Sequence, residues 1–249
     1  MFVRRAYVPE HARPGRAERA RWPFTIPCVA QLLDEDMTFE APVTFLVGDN
    51  GSGKSTLVEA IAEGFKLDSH GGRLGAATGR PDPAKTPLGD VLELERTAAG
   101  ARMLGGPRAK KKGFFLRAET AVSMTEQLGG VPGYWDDDTS TMSHGEGFLT
   151  IFREMFANPG FYVMDEPESA LSFTACLHLV ALMHELGHSG AQVVCATHSP
   201  ILAATPGADI IEVGEHGYRR TKWDELDLTA HWRRFLAEPS VYLRHVVEP

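Results

Sequence analysis

The segment Gly48-Asp49-Asn50-Gly51-Ser52-Gly53-Lys54-Ser55-Thr56 meets every fixed position of the pattern G-x-x-x-x-G-K-[ST]. Its chemistry is the binding of a polyphosphate. Glycines at 48, 51 and 53 free the backbone to turn its N–H groups around phosphate oxygens, and a helix starting there adds its positive end. Asn50, Gly51, Ser52, Gly53, Lys54, Ser55 and Thr56 are the expected phosphate contacts. Lys54 is expected to reach the β- and γ-phosphates of a nucleoside triphosphate, and Ser55 to ligate Mg²⁺. The competing reading is a glycine-rich turn before an ordinary helix. A second group of acids, Asp165-Glu166-Pro167-Glu168, ends the run Phe161-Tyr162-Val163-Met164. Asp165 is suited to hold Mg²⁺, and Glu166 to orient or deprotonate an attacking water. The alternative is a pair of helix-capping carboxylates. A third element, Gln192-Val193-Val194-Cys195-Ala196-Thr197, delivers His198. At the carboxyl end of a core strand this imidazole either contacts a γ-phosphate or satisfies a local hydrogen bond.

Such groups act together only if the chain places them at one edge of a sheet. Val43 to Val47 reads as a buried strand and Thr56 to Ala62 as the continuing helix, so the glycine-rich loop is a strand-to-helix turn. Residues 161–165 and 192–197 read as further buried strands, with a helix from Ser172 to Gly187 between them. The segment Met142-Ser143-His144-Gly145-Glu146-Gly147 precedes the apolar-periodic run 148–156. Ser143 is a good N-cap and Glu146 completes a capping-box spacing, which makes this a helix start with or without a phosphate-binding role.

The order of these motifs, with Ser169-Ala170-Leu171-Ser172 and Thr197-His198-Ser199-Pro200, resembles the ATP-binding-cassette class of P-loop ATPases over residues 40–205. Within it the chain is most similar to small stand-alone prokaryotic ATPases related to SMC and RecF heads. There the signature reads S-H-G-E and the acids are followed by P-E. Arg21-Trp22-Pro23-Phe24, Gly113 to Glu119 and Tyr242-Leu243-Arg244-His245 carry the likeness toward both ends. The resemblance implies an α/β P-loop fold with an ABC-type core, an N-terminal antiparallel β sheet and a small inserted helical lobe. It implies one domain, 1–249, with the lobe at about 97–158 and C-terminal helices from 223 to 249 packed on the core. It also implies ATP and Mg²⁺ as ligands, and an ATP-dependent homodimer in which Ser143 and Gly145 complete the partner's site. Lys54, Glu166 and His198 would then be the catalytic residues, with Ser55 and Asp165 on the metal. The signature departs from L-S-G-G-Q, and the loop after Leu171 ends in Ser172 where aspartate is common. Glu119 is the candidate for the magnesium-side position normally held by glutamine. Trp22 and Phe24 are candidates for an adenine platform or for packing at the sheet edge.

Composition sets the surroundings. The chain has 249 residues, 43% hydrophobic, enough for a full core, and a formal charge of −8 that disfavours coating nucleic acid over the whole surface. Local patches remain, at Arg4, Arg5, Arg13, Arg16, Arg19 and Arg21 and at 108–112; each is a solvated loop or a phosphate-backbone contact. Cys28, Cys176 and Cys195 suit reduced, packed thiols. The lack of a long apolar run leads to the expectation of a cytoplasmic protein without direct membrane insertion. His184-Glu185-Leu186-Gly187-His188 matches H-E-x-x-H, yet its second histidine falls at a helix end and no third ligand is evident, so it is read as coincidence. Asp136-Asp137-Asp138 reads as a solvated loop, residues 68–90 as a turn-rich surface connection, and 223–247 as two amphipathic helices broken at Pro239 and covering the sheet. The interval from Lys54 to Ser143 is too short for SMC-type coiled-coil arms.

Three purposes follow. A soluble ATPase could act on nucleic acid or a nuclease partner in repair or defence. A transporter ATP-binding subunit would dock on a permease. A nucleotide-gated switch would hydrolyse little.

Overall fold

In the computed structural model the described residues are 1–67, 72–73, 85–104, 113–117, 152, 156, 159–169, 171–244 and 246–247. Ser143, Gly145, Glu119, the basic run 108–112 and Asp136 to Asp138 lie outside them. The described strands are β1 (Val3–Tyr7), β2 (Met37–Thr38), β3 (Val43–Val47), β4 (Gly72–Arg73), β5 (Glu93–Arg96), β6 (Gly113–Arg117), β7 (Phe161–Asp165), β8 (Gln192–Thr197), β9 (Asp209–Gly214) and β10 (Gly217–Thr221). The described α-helices are α1 (Arg16–Arg19), α2 (Pro27–Leu32), α3 (Lys54–Gly64), α4 (Pro87–Val91), α5 (Ala98–Leu104), α6 (Phe173–His188), α7 (Pro200–Ala203), α8 (Asp227–Ala237) and α9 (Ser240–Leu243).

Seven strands form one sheet in the order β10-β9-β3-β8-β7-β6-β4, in which β9, β3, β8, β7 and β6 run parallel and the outer strands β10 and β4 antiparallel. The central strands are apolar on both sides because both faces are covered. Alternate side chains divide between two cores. Val43, Phe45 and Val47 of β3, Tyr162 and Met164 of β7, and Val193 and Cys195 of β8 face α6, which presents Leu179, Leu182, Met183 and Leu186. That spacing is one stripe of a helix. Leu46, Val163, Val194 and Ala196 face the other way, onto Leu57, Val58 and Ile61 of α3. The result is the expected α/β P-loop architecture.

The second sheet, β2-β1-β5, is antiparallel and built from the N-terminal strand, as expected. Its attachment to the core runs through Gln192 at the start of β8, which has no exposed surface. Its Oε1 accepts hydrogen bonds from the amides of Phe2 (2.6 Å) and Val3 (2.9 Å), and its Nε2 donates to the Val3 carbonyl at 2.9 Å.

Several expectations need correction. Of the stretch expected as the lobe, about 97–158, α5 packs at the N-terminal sheet, where Gly100 lies against the Phe2 backbone, and β6 is a core strand with Phe114 and Phe115 on opposite faces. Within 68–90, Gly72 and Arg73 pair with β6, and α4 is capped by Thr86, whose hydroxyl accepts from the Gly89 amide at 3.1 Å. Proline at the first helical position, which suggested a turn, here starts a helix. In the tail, Leu226 is fully buried and Leu228 packs on the core, whereas Trp232 (47% exposed) and Leu236 (72%) face away from the sheet.

Gln192→Leu is expected to lower stability by on the order of 3 kcal/mol, because two amides and a carbonyl lose their buried partners. Urea denaturation checks this, and an unchanged midpoint would show that the N-terminal sheet is held by other contacts.

Candidate active site

The glycine-rich loop leaves β3 at Gly48, where a Cβ would fall 2.0 Å from the Val213 carbonyl oxygen of β9. No side chain fits there without moving a core strand. Gly51 and Gly53 have φ of +80° and +100°, the left-handed region that favours glycine, and Gly53 is the N-cap of α3. A Cβ on Gly53 would meet Cys28 Sγ at 2.6 Å and Ile26 Cγ2 at 2.7 Å, so α2 forms the floor of the loop. The Cys28 thiol donates to the Ser52 carbonyl at 3.3 Å, and burial pushes its pKa up to about 11, which keeps the donor proton in place.

Lys54 is 3% exposed, and its ammonium donates to the carbonyls of Gly48 and Asp49, each at 2.8 Å. Burial lowers its pKa, against the attraction of Glu166 and Asp165. The loop therefore closes around its own cation. Asn50 and Ser55 are exposed beside it.

Register supplies the rest of the site. Val47 pairs with Thr197, and Asp165 pairs with Ala196, so the ends of β3, β8 and β7 lie side by side. This is the carboxyl edge where ligands of parallel sheets bind. Ser55 Oγ donates to Asp165 Oδ1 at 3.1 Å, joining the two residues expected on the metal. Burial raises the Asp165 pKa, the Ser55 hydrogen bond opposes this, and the charge of Glu166 adds to the rise. The charges of Arg117 and Lys54 offset that burial only in part, and an alcohol oxygen beside the carboxylate completes a hard-oxygen donor pair that fits Mg²⁺. On this observation Ser55 and Asp165 are the pair that would hold it.

Glu166 leaves the strand with φ +48°, unusual for a side chain with a Cβ, and its amide donates to the Ala196 carbonyl at 2.9 Å. The turn is held further by Ser169, whose amide and hydroxyl donate to the Glu166 carbonyl at 3.1 and 2.8 Å. Glu166 Oε1 lies 3.6 Å from His198 Nδ1. Thus Lys54, Ser55, Asp165, Glu166 and His198 lie together at this edge of the sheet.

Two participants were not foreseen. Glu168 is 7% exposed and its Oε1 accepts from the Thr197 hydroxyl at 2.5 Å and the His198 amide at 3.0 Å. An acid two residues past Glu166 was the available signal, but only the fold turns it inward. Arg117 ends β6 opposite Asp165 in register, forms an ion pair with Glu59 of α3, and lowers the Asp165 pKa. Beside the loop, Trp22 (65% exposed) lines a cavity of about 310 Å³ with Ile26, Asn50, Gly51, Gly53, Lys54, Ser55, Thr56 and Glu166. Phe24, the other aromatic candidate, is buried in the core.

The H-E-x-x-H histidines lie on α6, away from this edge. His188 Nδ1 bonds the His184 carbonyl at 2.8 Å, a local helix-end contact. Among the described residues no group of three or more His, Cys, Asp or Glu is arranged to hold a metal.

Comparison with known proteins agrees with the resemblance in the sequence. A family model described as an AAA domain matches residues 29–71, which run from within α2 through β3, the loop and α3. Among curated proteins, ABC transporter G family member 21 of Dictyostelium discoideum is 25% identical over 225 residues, covering 79% of this chain and 15% of that protein. ABC transporter G family member 25 of Arabidopsis thaliana is 29% identical over 171 residues, covering 62% and 26%. The chain thus spans about a quarter or less of the length of these relatives. Among solved structures, the SMC head domain from Thermotoga maritima has a TM-score of 0.49 at 16% identity, covering 89% of this chain and 99% of that one. CbiO1 from Clostridium perfringens, described as part of the ABC transporter complex cbiONQ, has a TM-score of 0.48 at 13% identity, covering 86% and 91%. In its motifs and its curated relatives the chain is similar to ABC-type P-loop proteins.

The electrostatics of the site have a measurable consequence. A raised carboxyl pKa contributes stability that is present below the ordinary value of 3.8 and lost as pH rises through the folded value. At neutral pH the nucleotide-free protein therefore carries the Asp165 charge at a cost. Asp165→Asn is expected to raise the neutral-pH melting temperature by about 2–4 °C, for a gain of on the order of 1 kcal/mol, with the difference closing in acid. Thermal melts across pH test this, and a variant that melts lower at neutral pH would refute it.

Proposed function

We propose that this protein is a Mg²⁺-dependent ATPase that hydrolyses ATP between two copies of the chain. The observation that carries the reading is the meeting of the Lys54 loop, the Ser55–Asp165 pair, Glu166 and His198 at three adjacent strand ends. Binding of the triphosphate would draw the Lys54 ammonium from the Gly48 and Asp49 carbonyls onto the β- and γ-phosphates. Mg²⁺ at Ser55 and Asp165 would neutralise charge on the phosphate oxygens. Glu166, on its own turn and free of the strand, orients and deprotonates the water that attacks the γ-phosphate, and His198 contacts that phosphate. Positioning and charge stabilisation supply the catalysis, as expected for phosphoryl transfer. Trp22 is the adenine platform in this reading, since it is the candidate aromatic that reaches the cavity beside the loop. Ser143 and Gly145 of a second copy complete the site.

The hydrolysis serves a transaction with nucleic acid or a partner protein, in repair or defence, in the cytoplasm where ATP is supplied. No helix among the described residues is long and apolar enough to cross a membrane. The N-terminal arginines give a nucleic-acid footprint little support: Arg5 pairs with Glu95 and Asp36, Arg4 with Glu95, and Arg13 and Arg19 with Asp34. The curated relatives favour a second reading, an ATP-binding subunit of a transporter. Co-purification with a polytopic membrane protein would favour it, and DNA-stimulated turnover that falls with salt would favour the first.

Glu166→Gln is expected to lower kcat at least about 100-fold while nucleotide still binds, because a base is lost and the loop is untouched. In the wild type the rate per protomer should rise with protein concentration. A steady-state assay over a concentration series measures both. Tight ATP binding with negligible wild-type turnover at every concentration would replace this reading with that of a nucleotide-gated switch.

A further inference from the structure

Glu168 stands behind the site and has no part in the mechanism above. Its side chain is 5% exposed, and its Oε1 gathers two donors from the turn that follows β8: the Thr197 hydroxyl at 2.5 Å and the His198 amide at 3.0 Å. The Thr197 hydroxyl in turn accepts from the Ser199 amide at 3.0 Å, and the Ser199 hydroxyl accepts from the Leu202 amide at 3.4 Å in α7. One carboxylate thus anchors the chain that carries His198 from strand to helix.

The ring faces the same group. His198 Nδ1 is buried and lies 3.7 Å from Glu168 Oε1 and 3.6 Å from Glu166 Oε1, without a closer partner among the described residues. Glu168 Oε2 is also buried and has no partner among the described residues. Ionised carboxylates only accept hydrogen bonds, so a nitrogen facing two of them is the one that carries hydrogen. The side chain as a whole is 42% exposed while Nδ1 is buried, so the open edge of the ring is the one bearing Nε2.

We propose that Glu168 is a positioning residue for His198: it anchors the turn at 197–199 and, with Glu166, holds the imidazole as the Nδ1–H tautomer. Nε2 is then the nitrogen presented to the reacting groups. In the neutral ring it accepts a hydrogen bond from the attacking water, and in the imidazolium it donates to the γ-phosphate. The catalytic consequence rests on the ATPase reading above; the tautomer does not.

The first measurement is the imidazole ¹⁵N spectrum of nucleotide-free protein at alkaline pH, with His198→Ala assigning the signal. The Nδ1–H tautomer is expected in the wild type, and Glu168→Ala should shift the ring toward Nε2–H. Glu168→Gln keeps an oxygen acceptor for Thr197 and the His198 amide, so it should melt near the wild type and retain the Nδ1–H form. In turnover, Glu168→Ala should cost about ten- to a hundredfold in kcat with little change in KM, and Glu168→Gln should recover most of it. Added to His198→Ala, the Glu168→Ala change should cost almost nothing further, because its effect passes through the ring. An Nε2–H tautomer in the wild type, or a Glu168→Ala penalty undiminished in the His198→Ala background, would overturn the proposal. If the wild type shows no turnover, the ATPase reading fails while the tautomer still decides this one.

Discussion

Charge held at the poorly hydrated end of a parallel sheet is the constraint on which the rest of the site depends. Lys54 is pushed toward its neutral form and Asp165 toward its protonated form by burial, and each is only partly relieved by the other's charge. The nucleotide-free protein answers with local contacts, Lys54 on the loop carbonyls and Asp165 on Ser55. A triphosphate with a divalent cation offers both groups stronger partners. Under the proposed function, this incomplete compensation would add to the affinity for such a ligand.

Holding that arrangement requires close backbone approach, which is why the loop is gripped from two sides. Val213 of β9 presses on Gly48, while Ile26, which caps α2, and Cys28 within it press on Gly53. Because α2 precedes β2 and β3 in the chain, the N-terminal region is a structural part of the phosphate site. Gln192 ties the same region to β8, whose other end carries Thr197 and His198. The antiparallel sheet and the carboxyl edge of the main sheet are therefore tied through one strand.

The acidic side of the site is layered. Asp165 ends its strand in register with Ala196, Glu166 turns out through a left-handed backbone, and Glu168 turns back under the His198 turn. Three acids within four residues thereby occupy three environments. Arg117 and Glu59 add an ion pair on the β6 side, which connects α3, the helix of the phosphate loop, to the acid strand. A change at either end of this row has a direct electrostatic route to the other.

Much of this was legible in the sequence, because the phosphate loop needs glycine and lysine at set spacing and buried strands declare themselves by unbroken apolar runs. Residues 43–47, 161–165 and 192–197 were readable as strands, and with them the residues at their ends, Gly48, Asp165 and His198. Proline and glycine misled between 68 and 90, since Pro87 starts a helix whose partner, Glu63, comes from a distant turn of α3. The exposed face of α8 was equally hidden, because amphipathic spacing tells that a helix has an apolar stripe and not what covers it. Local spacing determined which groups this chain has for polyphosphate chemistry. Strand order and register decided that they meet, and the packing of the turns around the sheet decided that Trp22 reaches the loop while Phe24 enters the core and that Glu168 faces His198. Those are contacts between residues far apart in sequence, and no local pattern encodes them.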